Sequence, residues 1–263
     1  MSSGENNVII ASFNVNSIKA RLPRVIEWLK SRQPDVVCLQ EIKCLDENFP
    51  ALEIGDLGYN IEVHGQKTYN GVAILSKHRI EDVTRGLPGN DEDDQARYIE
   101  AFTGGVRVGC LYLPNGNPAP GEKYDYKLRW MDYLIKRAKT LLAYEEVTVL
   151  CGDYNVIQKA EDVHNPENWG DDALYLLETR EKFRELLYLG YTDALRAIKP
   201  SGPDYTFWDY QRGAWQNDHG LRIDHHLLSP QAADKLKDCQ IDKMVRAGER
   251  ASDHVPIWVE LDV

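Results

Sequence analysis

Apolar and polar positions alternate along this chain in short blocks. The sharpest boundary falls at Val147-Thr148-Val149-Leu150-Cys151, which stops at Gly152-Asp153-Tyr154-Asn155. A short β-branched run bounded by turn formers predicts a buried strand. Gly152 is expected to let the backbone turn there, leaving Asp153 and Asn155 at the strand's mouth. Taken alone, an ordinary strand-ending turn explains the motif as well as a site does.

The blocks on either side predict similar units. Val8-Ile9-Ile10-Ala11-Ser12-Phe13 reads as a strand ending at Asn14. Ile18, Leu22, Val25, Ile26 and Leu29 recur at helical spacing, so residues 21–31 are expected to be a helix stopped before Pro34. Val36-Val37-Cys38-Leu39-Gln40 is the next strand, ending at Glu41 and Lys43, and residues 71–76 form another. Residues 97–102 and 106–113 predict a hairpin about Gly104-Gly105. A helix is expected over residues 125–143, from the period of Leu128, Met131, Leu134, Ile135, Ala138, Leu141 and Leu142. Another is expected over residues 179–189, closed by Gly190. The aromatic stretch 205–210 and the stretches 221–229 and 252–261 read as strands. Strand-helix-strand order predicts an α/β fold. No linker or repeat divides the chain, so residues 1–263 are read as one domain.

Composition narrows the function classes. A chain of 263 residues with 43% hydrophobic and 28% charged content suits a globular domain with a sizeable core. No apolar run is long enough to span a membrane. The polar start Met1-Ser2-Ser3-Gly4-Glu5-Asn6-Asn7 is no secretory leader, which makes cytoplasmic the expected location. Cys38, Cys44, Cys110, Cys151 and Cys239 contain no Cys-x-x-Cys pair and read as reduced thiols. The net charge of −11 argues against a general affinity for nucleic acid, though not against a local basic face. The acidic run Asp91-Glu92-Asp93-Asp94 reads as a solvated loop.

Candidate chemistry collects at strand mouths. Asn14, Glu41, Tyr112 and Asp153 follow apolar runs, whereas Asp224 and Asp253-His254 precede them. If the second group of strands runs opposite to the first, all these residues meet at one edge. Glu41, Asp153, Asp224 and Asp253 cannot gather there without a cation or shared protons, because like charges resist ionisation. Oxygen ligands without thiolates select hard ions, Mg²⁺ or Mn²⁺. A His254 partnered by an Asp would have its tautomer and charge fixed. Such a set suits attack of water on phosphorus. Singly, each residue has a plainer explanation. Asn14 and Ser252-Asp253-His254 serve as turns, Glu41 as a surface edge, Tyr112 as a core aromatic, and Asp224 as a structural partner of Arg222. His164, His225 and His226 are read as surface or packing residues.

The chain resembles the exonuclease III type of apurinic/apyrimidinic endonuclease, within the endonuclease/exonuclease/phosphatase superfamily. The matching segments run in order along nearly the whole chain. They are Ser12-Phe13-Asn14-Val15-Asn16, Leu39-Gln40-Glu41-Ile42-Lys43, Tyr112-Leu113-Pro114-Asn115-Gly116, Gly152-Asp153-Tyr154-Asn155, Arg222-Ile223-Asp224 and Ser252-Asp253-His254-Val255-Pro256. The resemblance implies a four-layer α/β sandwich, two mixed β-sheets face to face with helices outside. It implies Mg²⁺-dependent cleavage 5′ to abasic sites in duplex DNA, with 3′→5′ exonuclease and 3′-phosphatase activities beside it. The expected partner is double-stranded DNA with abasic sites or blocked 3′ ends, met by a monomer without a membrane.

Residue roles follow from the same resemblance. Glu41 is the main metal ligand, with Asn14, Asp153, Asn155 and Asp253 in or around the metal cluster. Asp153 handles the water or leaving-group proton. Asp224 pairs with His254, which holds the phosphate, and Asn155 and Tyr112 contact it. Asn16, Lys43, Arg97 and Asn115 are phosphate-side groups. Phe207, Leu221 and Ile223 are expected to form the pocket for an extruded abasic sugar. Some relatives carry Trp where this chain has Leu221. Lys19, Arg21 and Arg24, then Lys123, Lys127 and Arg129, are candidates for a local basic face, with solvated helix surface as the alternative. Two other functions compete. A superfamily cousin acting on inositol phosphates, lipid or RNA would keep the same carboxylates on a different surface. A non-catalytic DNA-binding protein would be expected to lose chemical residues, and none is lost.

Overall fold

The computed structural model describes residues 7–263. The polar start read as no secretory leader lies outside the described residues, Asn7 apart. In chain order the strands are β1 (Asn7–Asn14), β2 (Val36–Gln40), β3 (Asn60–His64), β4 (Val72–Ser76), β5 (Ile80–Arg85), β6 (Tyr98–Thr103), β7 (Val106–Tyr112), β8 (Thr148–Asp153), β9 (Thr192–Asp193), β10 (Asp224–Leu228), β11 (Leu236–Ile241) and β12 (Ile257–Asp262). The α-helices are α1 (Ile18–Arg32), α2 (Ala51–Gly55), α3 (Glu122–Leu142), α4 (Leu177–Tyr188), α5 (Ala194–Ile198) and α6 (Pro230–Ala233).

The strands make two six-stranded mixed sheets, ordered β11-β12-β1-β2-β4-β3 and β5-β6-β7-β8-β10-β9. Alternate side chains decide the layers. Ile10, Val36, Cys38 and Ile74 of the first sheet pack with Val108, Cys110, Val149 and Cys151 of the second, filling the space between them. The opposite face of the first sheet, with Phe13, Val37 and Leu39, is covered by Ile18, Val25, Trp28 and Leu29 of α1. Leu111, Leu150 and Leu227 on the outside of the second are covered by α3 and α4. Each such aliphatic side chain removed from water contributes about 1.5–3 kcal/mol. The result is an α/β fold with helices outside two facing sheets.

Strand direction places the site. β1 and β2 run parallel, as do β7 and β8, whereas β12 is antiparallel to β1 and β10 to β8. The ends of β1, β2, β7 and β8 and the starts of β10 and β12 therefore share one edge. Register is tight there: Tyr112 and Asp224 both pair with Asp153, and Asn14 pairs with Gln40.

Three expectations need correction. Gly152 is not a turn, because β8 continues through it to Asp153. Its need for glycine comes from close approach: a Cβ there would lie 1.9 Å from the Leu111 carbonyl oxygen. Residues 205–210 do not form a strand; Phe207 alone bridges Leu221 and His254. The first helix begins at Ile18, because the Ser17 hydroxyl caps it by accepting from the Ala20 N–H. Pro23 lies inside it.

β10 also carries two buried histidines that point to opposite faces. His225 is held neutral between an Arg222 guanidinium that donates to Nδ1 and a Val156 carbonyl that accepts from Nε2. Burial pushes His225 down to about 4 and His226 down to about 3, from an ordinary value of 6.5. Their folded pKa values are depressed, so the unfolded chain takes up the proton first as pH falls below 6.5. Stability present above that pH is lost toward pH 4, at up to about 1.4 kcal/mol per unit for each ring. Urea unfolding should therefore show a steep loss between pH 6.5 and 4, reduced by roughly 3 kcal/mol in His226→Leu. An identical loss in that variant would show that His226 does not drive it.

Candidate active site

Each mouth residue is delivered by a strand end. Asn14 closes β1, Glu41 follows β2, Tyr112 closes β7, Asp153 closes β8, and Asp224 opens β10. His254 is fixed three residues before β12 by the Phe207 bridge. Asn16, Glu41, Lys43 and Asn155 all adopt positive φ, between +44° and +53°. Non-glycine residues tolerate that conformation at a cost of about 1–2 kcal/mol each, and a surrounding structure must hold them there.

The carboxylates are bridged by one amide. Asn14 Nδ2 donates to Glu41 Oε1 at 2.8 Å and to Asp153 Oδ2 at 2.9 Å. Its oxygen accepts from the Asn16 N–H at 3.0 Å, so the nitrogen faces the carboxylates. Asp153 lies 3.6 Å from His254 Nε2, and the Asp224 carboxylate accepts from Nδ1 of the same ring at 2.8 Å. Asp224 is itself set by the Thr206 hydroxyl, which accepts from the Ile223 and Asp224 N–H groups. Arg222 does not pair with Asp224. Its guanidinium, wholly buried, holds Asp162 and Asp193.

Charge follows from this geometry. Burial opposes the charge of His254, but Asp224 and Asp153 outweigh it and raise the ring to about 10. Burial, reinforced by Asp224 and Glu41 against the pull of His254, holds Asp153 above the ordinary carboxylate range. The proton of this pair belongs on His254, which alone has a second anionic partner. Burial also opposes the charge of Glu41, yet Lys43 and Asn14 hold it below the usual value. The Lys43 ammonium sits 2.9 Å from Glu41 Oε2. Burial, with Glu41 and Asp153, pushes the Tyr112 phenol far up, so it remains a neutral donor.

Ligand atoms of Glu41, Asp153 and His254 lie within 4.8 Å of one another. A protonated imidazole cannot ligate, so the two carboxylates are the groups suited to a divalent cation. A cation there would lower Asp153's pKa and relieve its crowding. An ammonium against Glu41 shows that the position favours positive charge.

The other expected residues fall around this centre. Asp253 accepts from Asn16 at 3.0 Å, and Asn16 in turn accepts from Lys43 at 2.6 Å. Asn155 has both ends of its amide engaged, donating to the Leu113 carbonyl and accepting from Asn115. Arg97 donates to the Tyr112 carbonyl and lies 4.8 Å over its ring. Phe207, Leu221 and Ile223 line a cleft of about 300 Å3 with Glu41, Asp153 and His254. An adjoining hollow of about 540 Å3 shares Trp169, Asp209 and Leu221 but holds none of the carboxylate cluster.

The sequence reading missed several participants. Trp169, Asp172 and Leu174 complete the cleft wall. An aromatic inside the polar loop 164–170 was the available signal. Ser252, which donates to the Asn14 carbonyl at 2.7 Å, ties the last motif to the first. Lys127 does not belong to a basic face, because it is fully buried. It shares the helical period of Tyr124, Met131, Leu134 and Ala138, which are buried on α3. Lys123 and Arg129 of the same group are exposed.

Comparison with known proteins gives consistent relatives. The Endonuclease/Exonuclease/phosphatase family matches residues 11–254. Exodeoxyribonuclease III of Haemophilus influenzae is 33% identical over 261 residues, covering 95% of this chain and 98% of that one. The 3′ phosphatase NExo from Neisseria, solved with a product DNA hairpin, is 40% identical with a TM-score of 0.95, covering 97% and 100%. An AP endonuclease from Archaeoglobus fulgidus is 38% identical with a TM-score of 0.94, again covering 97% and 100%.

The electrostatics make a direct prediction for metal-free protein. The His254 ring proton signals should stay in the protonated position through pH 8 in NMR titration. In Asp224→Asn the midpoint should drop by a unit or more, since the strongest opposing anion is gone. A midpoint near 6.5 in the unaltered protein would contradict the assignment.

Proposed function

The chain belongs to the endonuclease/exonuclease/phosphatase family and is a hydrolytic DNA repair nuclease of the exonuclease III and AP endonuclease type; from that premise we propose that it cleaves duplex DNA 5′ to abasic sites and also processes blocked or recessed 3′ ends. The observation that carries the mechanism is the row Glu41–Asn14–Asp153–His254–Asp224, buried apart from the partly exposed Glu41, in which one amide bridges two carboxylates and a third carboxylate holds the imidazole beside Asp153.

The proposed roles follow from position. Asp153, whose carboxylate lines the cleft beside His254, takes the proton of the attacking water. His254, kept protonated by Asp224, donates to a phosphate oxygen. Tyr112 donates as a neutral phenol to the phosphate or the oxygen that departs. Water adds to phosphorus, the bond to the 3′ oxygen breaks, and a 3′-hydroxyl and a 5′ phosphate result. Glu41 and Asp153 are the residues that would hold Mg²⁺, with Mn²⁺ as a substitute, and such an ion would neutralise charge developing on the phosphoryl group. Asn14 acts there as a donor that sets both carboxylates, and Asp253 acts through Asn16 and Lys43. Asn155 and Asn115 border the phosphate position, with Arg97 fixing Tyr112. Phe207, Leu221 and Ile223 offer the apolar wall for an extruded sugar.

All of these groups come from one chain, which supports action as a monomer and as one domain. Unpaired Cys38, Cys44, Cys110, Cys151 and Cys239 suit the reducing cytoplasm. No helix among the described residues is long and apolar enough to cross a membrane.

An Mg²⁺-dependent assay on three matched duplexes tests the reading: one with an abasic analogue, one with a recessed 3′ end, one with a 3′-phosphate. Cleavage of none would turn attention to lipid or inositol phosphate esters. Asp153→Asn should lower kcat by about 10²–10⁴-fold without loss of fold, the scale of a missing proton acceptor. Full activity would remove Asp153 from that role. Glu41→Ala should move the Mg²⁺ titration to much higher concentration, and an unchanged curve would place the ion elsewhere.

A further inference from the structure

We propose that Lys127 is a positioning residue for cleavage: from beneath the cleft its ammonium clamps the two loops that carry Asn115 and Asn155. The inference rests on the nuclease reading and extends it to a residue that touches neither water nor phosphate.

The loops leave adjacent parallel strands, β7 and β8. Each takes a left-handed residue as it leaves, Gly116 at φ +89° and Asn155 at φ +47°. The carbonyl groups of Asn115 and Asn155 both point inward to Lys127. Its Nζ donates to the Asn155 carbonyl at 2.6 Å and to the Asn115 carbonyl at 3.1 Å. The buried Asn155 carbonyl left without a donor would cost about 1–3 kcal/mol. Above the backbone, the side chains are joined as well: Asn115 donates to Asn155, and Asn155 donates to the Leu113 carbonyl. The two loops are thus held in register from below by the Lys127 amine and from above by amides.

The fit to a lysine is specific. The stem packs so closely that a Cβ at position 116 would lie 2.6 Å from Lys127 Cδ. The Lys127 side chain is 0% exposed, and burial pushes it down to about 7 against the weaker pull of Asp153 and Asp172. Fully buried lysines are rare unless paired, so an apolar residue would be the ordinary occupant of this helical stripe. A methionine would fill the stem's space and donate nothing. The two asparagines would then lose their common register while the helix still packed.

The test uses the full chain. Lys127→Met should lower kcat on the abasic duplex by about 10- to 100-fold, as expected for a slight misplacement of groups around the reacting phosphate. KM, and DNA affinity measured without metal, should change by less than about three-fold. Amide hydrogen exchange in residues 113–117 and 153–155 should quicken in DNA-free protein, while β1 and β12 remain protected. In Lys127→Ala, added propylammonium should restore several-fold activity, and propanol should not. That second variant also serves if Lys127→Met does not fold. A kcat within two-fold of the unaltered protein, or a loss confined to KM, would overturn the proposal. If the unaltered protein cleaves no duplex, the nuclease reading fails by itself, and unchanged exchange in both loops would refute the clamp separately.

Discussion

One amide group holds the centre together. Asn14 gives both hydrogens of its side chain to carboxylates that arrive on different sheets, Glu41 from the first and Asp153 from the second. The facing sheets can slide only if this bridge breaks, because its two acceptors move with separate layers. The bridge also answers the electrostatic problem of the site. Two carboxylates that would repel each other share a neutral donor, and each has a cation on its far side, Lys43 for Glu41 and His254 for Asp153. Buried charge is tolerated when it is paired and hydrogen-bonded; Glu41 and Asp153 have both, and Asp224 is engaged through Oδ2 while its Oδ1 has no partner.

Acidity on the outside and order on the inside are then compatible. The net charge of −11 describes the whole surface, whereas the cleft is set by a few cations with fixed partners. Arg222, Lys127 and His254 are all buried; Arg222 and His254 offset carboxylates, and Lys127 holds two loop carbonyls. Arg222 steadies Asp162 and Asp193 behind β10, so the strand that presents Asp224 has a rigid back. The left-handed residues at the strand mouths are held by this scaffold, which offsets their backbone strain.

Much of this was visible in the residues. The inner strands were legible because both of their faces are apolar, as in Val36-Val37-Cys38-Leu39 and Val149-Leu150-Cys151. Opposed directions followed from where polar residues stood relative to those runs. The strands that escaped notice, β3, β5, β9 and β11, are the sheet edges. Each carries charges and half-exposed positions, for example Ile80-Glu81-Asp82-Val83, so its apolar signal is thin. Gly152 looked like a turn because no one-dimensional pattern reports the approach of a neighbouring strand's carbonyl. Lys127 looked like a surface charge because residue type outweighed its phase on the helix. Lone aromatics such as Trp169 gave no period at all, and only the folded chain shows that they complete a wall.

The pairing of β1 with β12 brings Asn7 opposite Asp262, setting side by side in the middle of the first sheet two strands far apart in the sequence. Ribosomes make the amino end first. A nascent chain would therefore hold β1 without one neighbour until β12 emerged. Asn14 would wait for Ser252, and Asp224 for His254. No product of synthesis that stops before His254 could assemble the hydrolytic centre, because Asp224 and Asp153 would lack their imidazole partner.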